Sequence, residues 1–118
     1  MNKVYVVQEV FRKSEKTGDL IPALDLSDAA RYGELVILLQ PGRVALSTSA
    51  MMLQLNQKLA DFCDDDFLLP IGDTAAITAA AMEASRINYG RVKLLSWDKR
   101  SSQYIPINLS LTKENNYD

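Results

Sequence analysis

The chain has 118 residues, of which 47% are hydrophobic and 24% charged, a composition typical of a soluble globular protein. Its 13 basic and 15 acidic side chains leave a net charge of -2, which does not favour nucleic acid as a partner. Histidine is absent and Cys63 is the only cysteine, which excludes histidine-dependent nucleophilic catalysis, histidine-ligated zinc and an intramolecular disulfide. We therefore expect no metal and no cofactor.

The N-terminal third predicts two strands and a short helical turn. Residues 3–10 (KVYVVQEV) are rich in β-branched and aromatic side chains, which favour a strand. A second strand is predicted at 20–26 (LIPALDL), where Pro22 belongs on a sheet edge because it lacks an N–H. A helical turn ending at Gly33 follows. We expect the two strands to form a hairpin that flanks the main sheet.

The central part predicts a β-α-β-α-β unit. Its first two strands are uninterrupted apolar runs, typical of a parallel sheet that helices cover on both faces. An amphipathic segment and an alanine-rich segment predict the connecting helices. The five predicted elements lie at 34–40, 49–62, 67–71, 74–88 and 91–97. With right-handed crossovers they form a three-stranded parallel sheet.

The last predicted strand, 104–111 (YIPINLSL), alternates cleanly between apolar and polar side chains. Alternation indicates a sheet with one face in water, and Pro106 again indicates an edge or a strand end. The fold class is therefore α/β: a small Rossmann-like three-layer domain with flanking antiparallel hairpin strands. We expect one domain over 1–118, folded over 1–111, with a polar tail at 112–118.

Two segments resemble known proteins. The upstream segment reads YGELVILLQPG, and the C-terminal third reads LLPIGDTAAITAAAMEASRINYGRVKLLSWDKRSSQYIPINLSL. Together they resemble small uncharacterised proteins encoded by bacteriophages, over roughly residues 32–111. The resemblance implies a phage origin and carries no activity and no functional residues.

The turn between the predicted strand 67–71 and the following helix is a candidate ligand site. Backbone N–H groups and the helix dipole favour an anion at a helix start. However, no glycine-rich phosphate-binding motif is present, and Asp73 places a carboxylate where a phosphate would sit. Capping of the helix by Asp73 is the alternative interpretation. A second polar helix start lies at 47–49, and both starts are expected at one sheet edge. The candidate residues are Ser47, Thr48, Ser49, Gly72, Asp73 and Thr74.

The segment 86–104 is a candidate interface, because it combines five positive charges with aromatic side chains. Such a patch suits a protein interface, single-stranded nucleic acid, or an ordinary solvated surface. The candidate residues are Arg86, Tyr89, Arg91, Lys93, Trp97, Lys99, Arg100 and Tyr104. The acidic run 64–66 lacks the ligand spacing of a calcium loop, and we interpret it as a solvated turn.

These observations favour a non-enzymatic phage-type accessory protein that binds a host protein, self-associates, or does both. One alternative is a nucleotide-binding module that sequesters a small nucleotide signal. Another is a single-stranded nucleic-acid binder that uses the basic C-terminal hairpin. An N-terminus without a signal-peptide layout, and the lack of a long apolar run, predict a cytoplasmic protein without membrane contact.

Overall fold

The computed structural model describes residues 2–43 and 48–111, so Ser47 and the predicted tail at 112–118 lie outside it. Within this part the chain forms seven strands, two α-helices and a 3₁₀ turn. The strands are β1 (Lys3–Gln8), β2 (Phe11–Lys13), β3 (Leu20–Pro22), β4 (Glu34–Leu39), β5 (Phe67–Leu69), β6 (Arg91–Asp98) and β7 (Gln103–Ser110). The helices are α1 (Thr48–Lys58) and α2 (Thr74–Ile87), and the 3₁₀ turn is Ala29–Tyr32. None of these helices is long and apolar enough to cross a membrane.

The main sheet has five strands in the order β4-β1-β5-β6-β7. Strand β1 lies between β4 and β5 and is parallel to both, with Val6 opposite Ile37 on one side and Leu69 on the other. The predicted N-terminal flanking hairpin is therefore wrong. Val4 and Val6 are buried on one face of the sheet and Tyr5 and Val7 on the other. A strand that is apolar on both faces gains most from a central position.

The short strands β2 and β3 form a separate two-stranded antiparallel sheet. They lie within the connection from β1 to β4, where the sequence predicted a longer second strand over 20–26. Pro22 ends β3 opposite Phe11. The hairpin therefore projects from the carboxyl end of β1 and does not extend the main sheet.

Both helices pack on the same face of the sheet. Successive connections from β4 to β5 and from β5 to β6 move in one direction along the sheet, and crossovers of one hand then place their helices on one side. Leu55 of α1 and Ala80 of α2 join Tyr5 and Leu68 in the larger core cluster. The connection from β1 to β4 moves the other way, and its 3₁₀ turn covers the opposite face through Ala29. The α/β class is confirmed, with this irregular segment in place of a second helical layer.

The C-terminal hairpin is confirmed, since β6 and β7 pair antiparallel along their full length. The backbone N–H of Leu111 donates to the Gly90 carbonyl at 2.8 Å. This bond shows which residues of β7 direct their backbone groups toward β6. Alternation along an antiparallel pair then directs the backbone groups of Tyr104 and Pro106 away from β6. Pro106 therefore lies on the outer edge of the sheet, as predicted, and removes no hydrogen bond from the ladder.

Candidate functional site

The carboxyl ends of β1, β4 and β5 meet around one buried amide, that of Gln8. Its Nε2 donates to the carbonyls of Gln40 and Gly42, at 2.8 and 2.7 Å. Its Oε1 accepts from the backbone N–H of Asp73 at 2.6 Å. Gln8 is only 1% exposed. This side chain therefore joins the loop after β4 to the turn before α2. The sequence interpretation missed it, and the only available signal was a lone polar residue ending an apolar strand.

Gly72 is required by this contact. Its φ is +123°, a backbone conformation that side chains other than glycine rarely adopt, and a Cβ there would lie 2.5 Å from Gln8 Oε1. The glycine of the predicted ligand turn thus lets the chain pass close to a neighbouring side chain. The absence of a side chain at Gly72 leaves space for the side chain of Gln8.

Asp73 caps α2. Its side chain accepts from the backbone N–H of Ala75 at 3.2 Å, and its own N–H is bonded to Gln8. Two donors that an anion would use at this helix start are therefore bonded within the chain. Thr74, the first residue of α2, accepts at its carbonyl from the hydroxyl of Thr78. Capping by Asp73 therefore explains this helix start without a bound anion.

A cavity of about 640 Å³ lies above Gln8, at the point where the strand order reverses. Gly72 and Asp73 line it, as do residues of the loops after β1 and β4 and of the β2–β3 hairpin. Its lining residues are Gln8, Glu9, Val10, Phe11, Leu20, Pro41, Gly42, Arg43, Gly72 and Asp73. In the described part of the chain, Thr48, Ser49 and Thr74 do not line it. The cavity is of the size that small ligands occupy.

Two of the predicted interface cations are engaged within the chain. The guanidinium of Arg86 pairs with Glu83, which also accepts from Asn56 at 2.6 Å, so the pKa of the Glu83 carboxyl is lowered. Arg91 pairs with Asp64 at 3.1 Å and, with Asn88, holds the pKa of that carboxyl below its usual range. Arg86 is thus paired within α2, and Arg91 joins the start of β6 to the loop before β5.

The acidic run 64–66 is divided between two structural roles. Asp64 binds Arg91, and the buried Asp66 accepts from the backbone N–H groups of Lys3 and Cys63. No group of three or more metal-ligating side chains occurs in the part of the chain that the structure describes. Asp64 and Asp65 are exposed in a turn, as predicted, whereas Asp66 is buried.

The aromatic members of the predicted interface differ in exposure. Trp97 and Tyr104 pair across the hairpin, with ring centroids 5.0 Å apart in an edge-on arrangement. Tyr104 is buried, Trp97 is half-exposed, and Tyr89 is exposed at the end of α2. The ammonium of Lys93 lies over the ring of Phe67 at 4.4 Å. Lys99 and Arg100 are exposed in the turn between β6 and β7.

The apolar face of β7 is an exposed surface that the sequence analysis did not single out. Alternation suggested that Ile105, Ile107 and Leu109 face the protein interior, yet all three are between 38% and 51% exposed. They lie on the side of the sheet that carries the helices, but β7 is the outermost strand and α2 packs over β6 and β1. We call Ile105, Ile107, Leu109 and the adjoining Leu111 the β7 stripe.

The outer edge of β7 is protected from pairing with another strand. The backbone N–H of Tyr104 donates to Asp28 at 2.6 Å, and its carbonyl accepts from the Tyr32 hydroxyl and from Arg31. Pro106 has no N–H to offer. Capped groups and proline are devices that prevent edge-to-edge aggregation. The edge is therefore closed to pairing at Tyr104 and Pro106, while the apolar side chains of β7 stay exposed.

Comparison with known protein families gives a match over residues 2–111, which includes both the cavity above Gln8 and the β7 stripe. The chain belongs to the Phage Pam3 gp32-like protein family. Membership in the Phage Pam3 gp32-like family confirms the resemblance to phage proteins drawn from residues 32–111. No curated protein and no solved structure matches the chain significantly.

Proposed function

We propose that this protein is a non-enzymatic phage accessory protein that acts in the host cytoplasm by protein contacts through the β6–β7 hairpin. The partner is a host protein or a second copy of the chain. The observation that carries the proposal is the β7 stripe, a row of apolar side chains in solvent on a strand whose edge is protected. A contiguous exposed apolar surface is typical of protein interaction sites.

Further support comes from the distribution of charge. Arg86 and Arg91 are paired with carboxylates of the same chain, which reduces the positive charge available to nucleic acid. Trp97 remains half-exposed at the other end of the hairpin, and tryptophan is enriched among residues that dominate protein interfaces. The hairpin therefore suits a protein partner better than a phosphate backbone.

The test is affinity capture from host lysate with three baits. The first is the wild-type protein, and the second carries Ile105→Thr, Ile107→Thr and Leu109→Thr, which keep strand propensity but remove the apolar surface. The third carries Leu53→Gln and Met82→Gln, which change exposed apolar residues on the helices. Analytical ultracentrifugation of the same three proteins measures self-association.

We expect the wild-type and helix-variant baits to retain the same proteins, or to sediment as the same oligomer, and the stripe variant to lose them. All three baits should unfold at similar denaturant concentrations, because the changed residues are exposed. The proposal is overturned if the stripe variant retains every captured protein and sediments like the wild type. It is also overturned if no bait captures a protein and none self-associates.

The cavity above Gln8 favours a second candidate function, a small-molecule or nucleotide-binding module. Its position at the carboxyl ends of parallel strands is where open α/β sheets bind ligands. Because the Asp73 N–H and carboxylate occupy the helix start, the cavity suits a nucleoside or its ribose hydroxyls better than a phosphate. Thermal-shift measurements with adenosine, guanosine and their monophosphates test this function. If none of these compounds raises the melting temperature at millimolar concentration, the binding function is excluded for these ligands.

A further inference from the structure

We propose that a pocket at Trp97 binds an apolar segment of a protein partner that carries a lysine or arginine side chain. The inference rests on the proposed function, since it names the chemistry of the partner that the hairpin contacts. The pocket lies between β6, the exit of β5 and the segment that follows β3. We call it the Trp97 pocket, and its lining residues are Ala23, Leu24, Asp25, Leu69, Pro70, Ile71, Leu94, Leu95, Ser96, Trp97, Tyr104 and Ile107.

The walls of the Trp97 pocket are mostly apolar. Its volume is about 500 Å³, room for one or two large side chains. Leu69 and Leu95 at its base are fully buried, whereas Leu24 and Trp97 at its rim are 43% and 48% exposed. Ile107 belongs to both the pocket and the β7 stripe. Trp97 and Tyr104, which pair across the hairpin, project from the face of the sheet opposite to that of the stripe, so Ile107 is where the pocket and the stripe meet.

Asp25 gives the pocket its charge, since it is the one ionisable acid or base other than Tyr104 among the described residues that line it. Its Oδ1 accepts from the backbone N–H of Ser27 at 2.9 Å, which lowers the pKa of the carboxyl and keeps it ionised at neutral pH. The neighbouring carboxylate of Asp28 is already paired with Arg31 at 2.8 Å. No cation of the described residues forms a salt bridge with Asp25, which presents its negative charge beside the pocket.

Tyr104 lines the same pocket as Asp25. Burial raises the pKa of the Tyr104 hydroxyl, and the carboxylates of Asp25 and Asp28 raise it further. A cation entering the pocket meets that negative charge together with the half-exposed ring of Trp97. Both attract an ammonium or guanidinium group, the first by charge and the second by its π face.

This specificity is opposite to what the sequence suggests. The five positive charges within 86–104 indicate a basic surface. Yet Lys99 and Arg100 do not line the pocket, and Asp25, which does, comes from a segment more than 70 residues earlier in the chain. Lysine and arginine also carry apolar stems that suit the pocket walls.

The experiment uses Trp97 as its own reporter, because it is the only tryptophan in the chain. The fluorescence of the full-length protein is followed while acetyl-Leu-Arg-Leu-amide is added to millimolar concentration. The matched probe is acetyl-Leu-Glu-Leu-amide. The variant Asp25→Asn keeps the oxygen that accepts from Ser27 and removes the charge, and Asp19→Asn changes an exposed acid outside the pocket as the control. Amide shifts of Leu24, Ile71 and Ser96 in NMR spectra locate the bound peptide.

We expect saturable binding of the arginine peptide, weaker binding of the glutamate peptide, and up to about fivefold weaker arginine binding in Asp25→Asn, as for an exposed ion pair. Asp19→Asn should behave as the wild type. Equal binding of the two peptides, no effect of Asp25→Asn, or no binding at all overturns this inference. Such a result leaves the proposed function standing if the stripe variant still loses its partners from lysate, so the two failures are distinguishable.

Discussion

The side-chain carbonyl of Gln8 accepts from the backbone N–H of Asp73, so a residue of the central strand fixes the N-cap of α2, which lies 65 positions later in the chain. The other end of the same amide holds the loop after β4 through Gln40 and Gly42. A single buried side chain therefore sets the spacing of the loops at the carboxyl edge of the sheet. Two of the loops around the cavity are positioned by it.

Replacing Gln8 by leucine should destabilise the protein by about 3 kcal/mol or more, because it leaves a buried N–H and two carbonyls without this partner. Urea denaturation measures the change in the free energy of unfolding. The control is Gln54→Leu, which removes a single bond from a partly exposed amide to the Leu38 carbonyl. That change should cost about 1 kcal/mol. Equal losses in the two variants would contradict the role assigned to Gln8.

Gly72→Ala should destabilise the protein by about 2 kcal/mol or more, since the new methyl group meets Gln8 and the backbone keeps a positive φ. Gly18→Ala is the matched control, because Gly18 also has a positive φ but a methyl group added there would have nothing within 4 Å. The control should lose about 1 kcal/mol from backbone strain alone. Thermal unfolding of both variants gives the difference, which isolates the contact with Gln8.

Exposing the edge of β7 should cause self-association. The double variant Asp28→Ala, Pro106→Val removes the acceptor that caps Tyr104 and restores an outward-facing N–H. Light scattering at increasing protein concentration should then rise above that of the wild type, because an unprotected edge pairs with other strands. Pro41→Val makes the same proline change in the loop after β4, at the opposite end of the sheet from β7, and should not scatter more. If the double variant scatters no more light than Pro41→Val, the protection assigned to this edge is contradicted.

Acid should weaken the contact between the two helices. Hydrogen bonds from Arg86 and Asn56 lower the pKa of Glu83 below 4.5, its usual value, so its contribution to stability is present above that pH. The contribution is lost as the pH falls through the lowered pKa. We expect Glu83→Gln to be less stable at neutral pH and to lose less further stability between about pH 5 and pH 3. The control Glu15→Gln, in an exposed loop, should follow the wild-type pH profile in urea denaturation.

Local patterns were sufficient to predict most elements of the fold. The alanine-rich run after Asp73 predicts a helix over 74–88, and α2 occupies Thr74–Ile87. The predicted helix 49–62 ends earlier, at Lys58, although Leu59 and Phe62 still pack in the core. Pro106 predicts an edge because the lack of an N–H is a property of the residue itself. Helix capping and strand propensity depend on neighbours in sequence, which is why they can be read directly.

The position of β1 and the exposure of Ile105, Ile107 and Leu109 could not be predicted in this way. Both depend on which strand lies beside which, and the same alternating pattern serves a covered strand and an outermost one. The partners of Gln8 and Asp25 are likewise distant in sequence. The amino-acid sequence by itself determined the α/β class, the helix starts and the phage family. Only the tertiary structure decided which loops meet at Gln8, which arginines are neutralised and which apolar face remains open, because these depend on contacts between segments far apart in the chain.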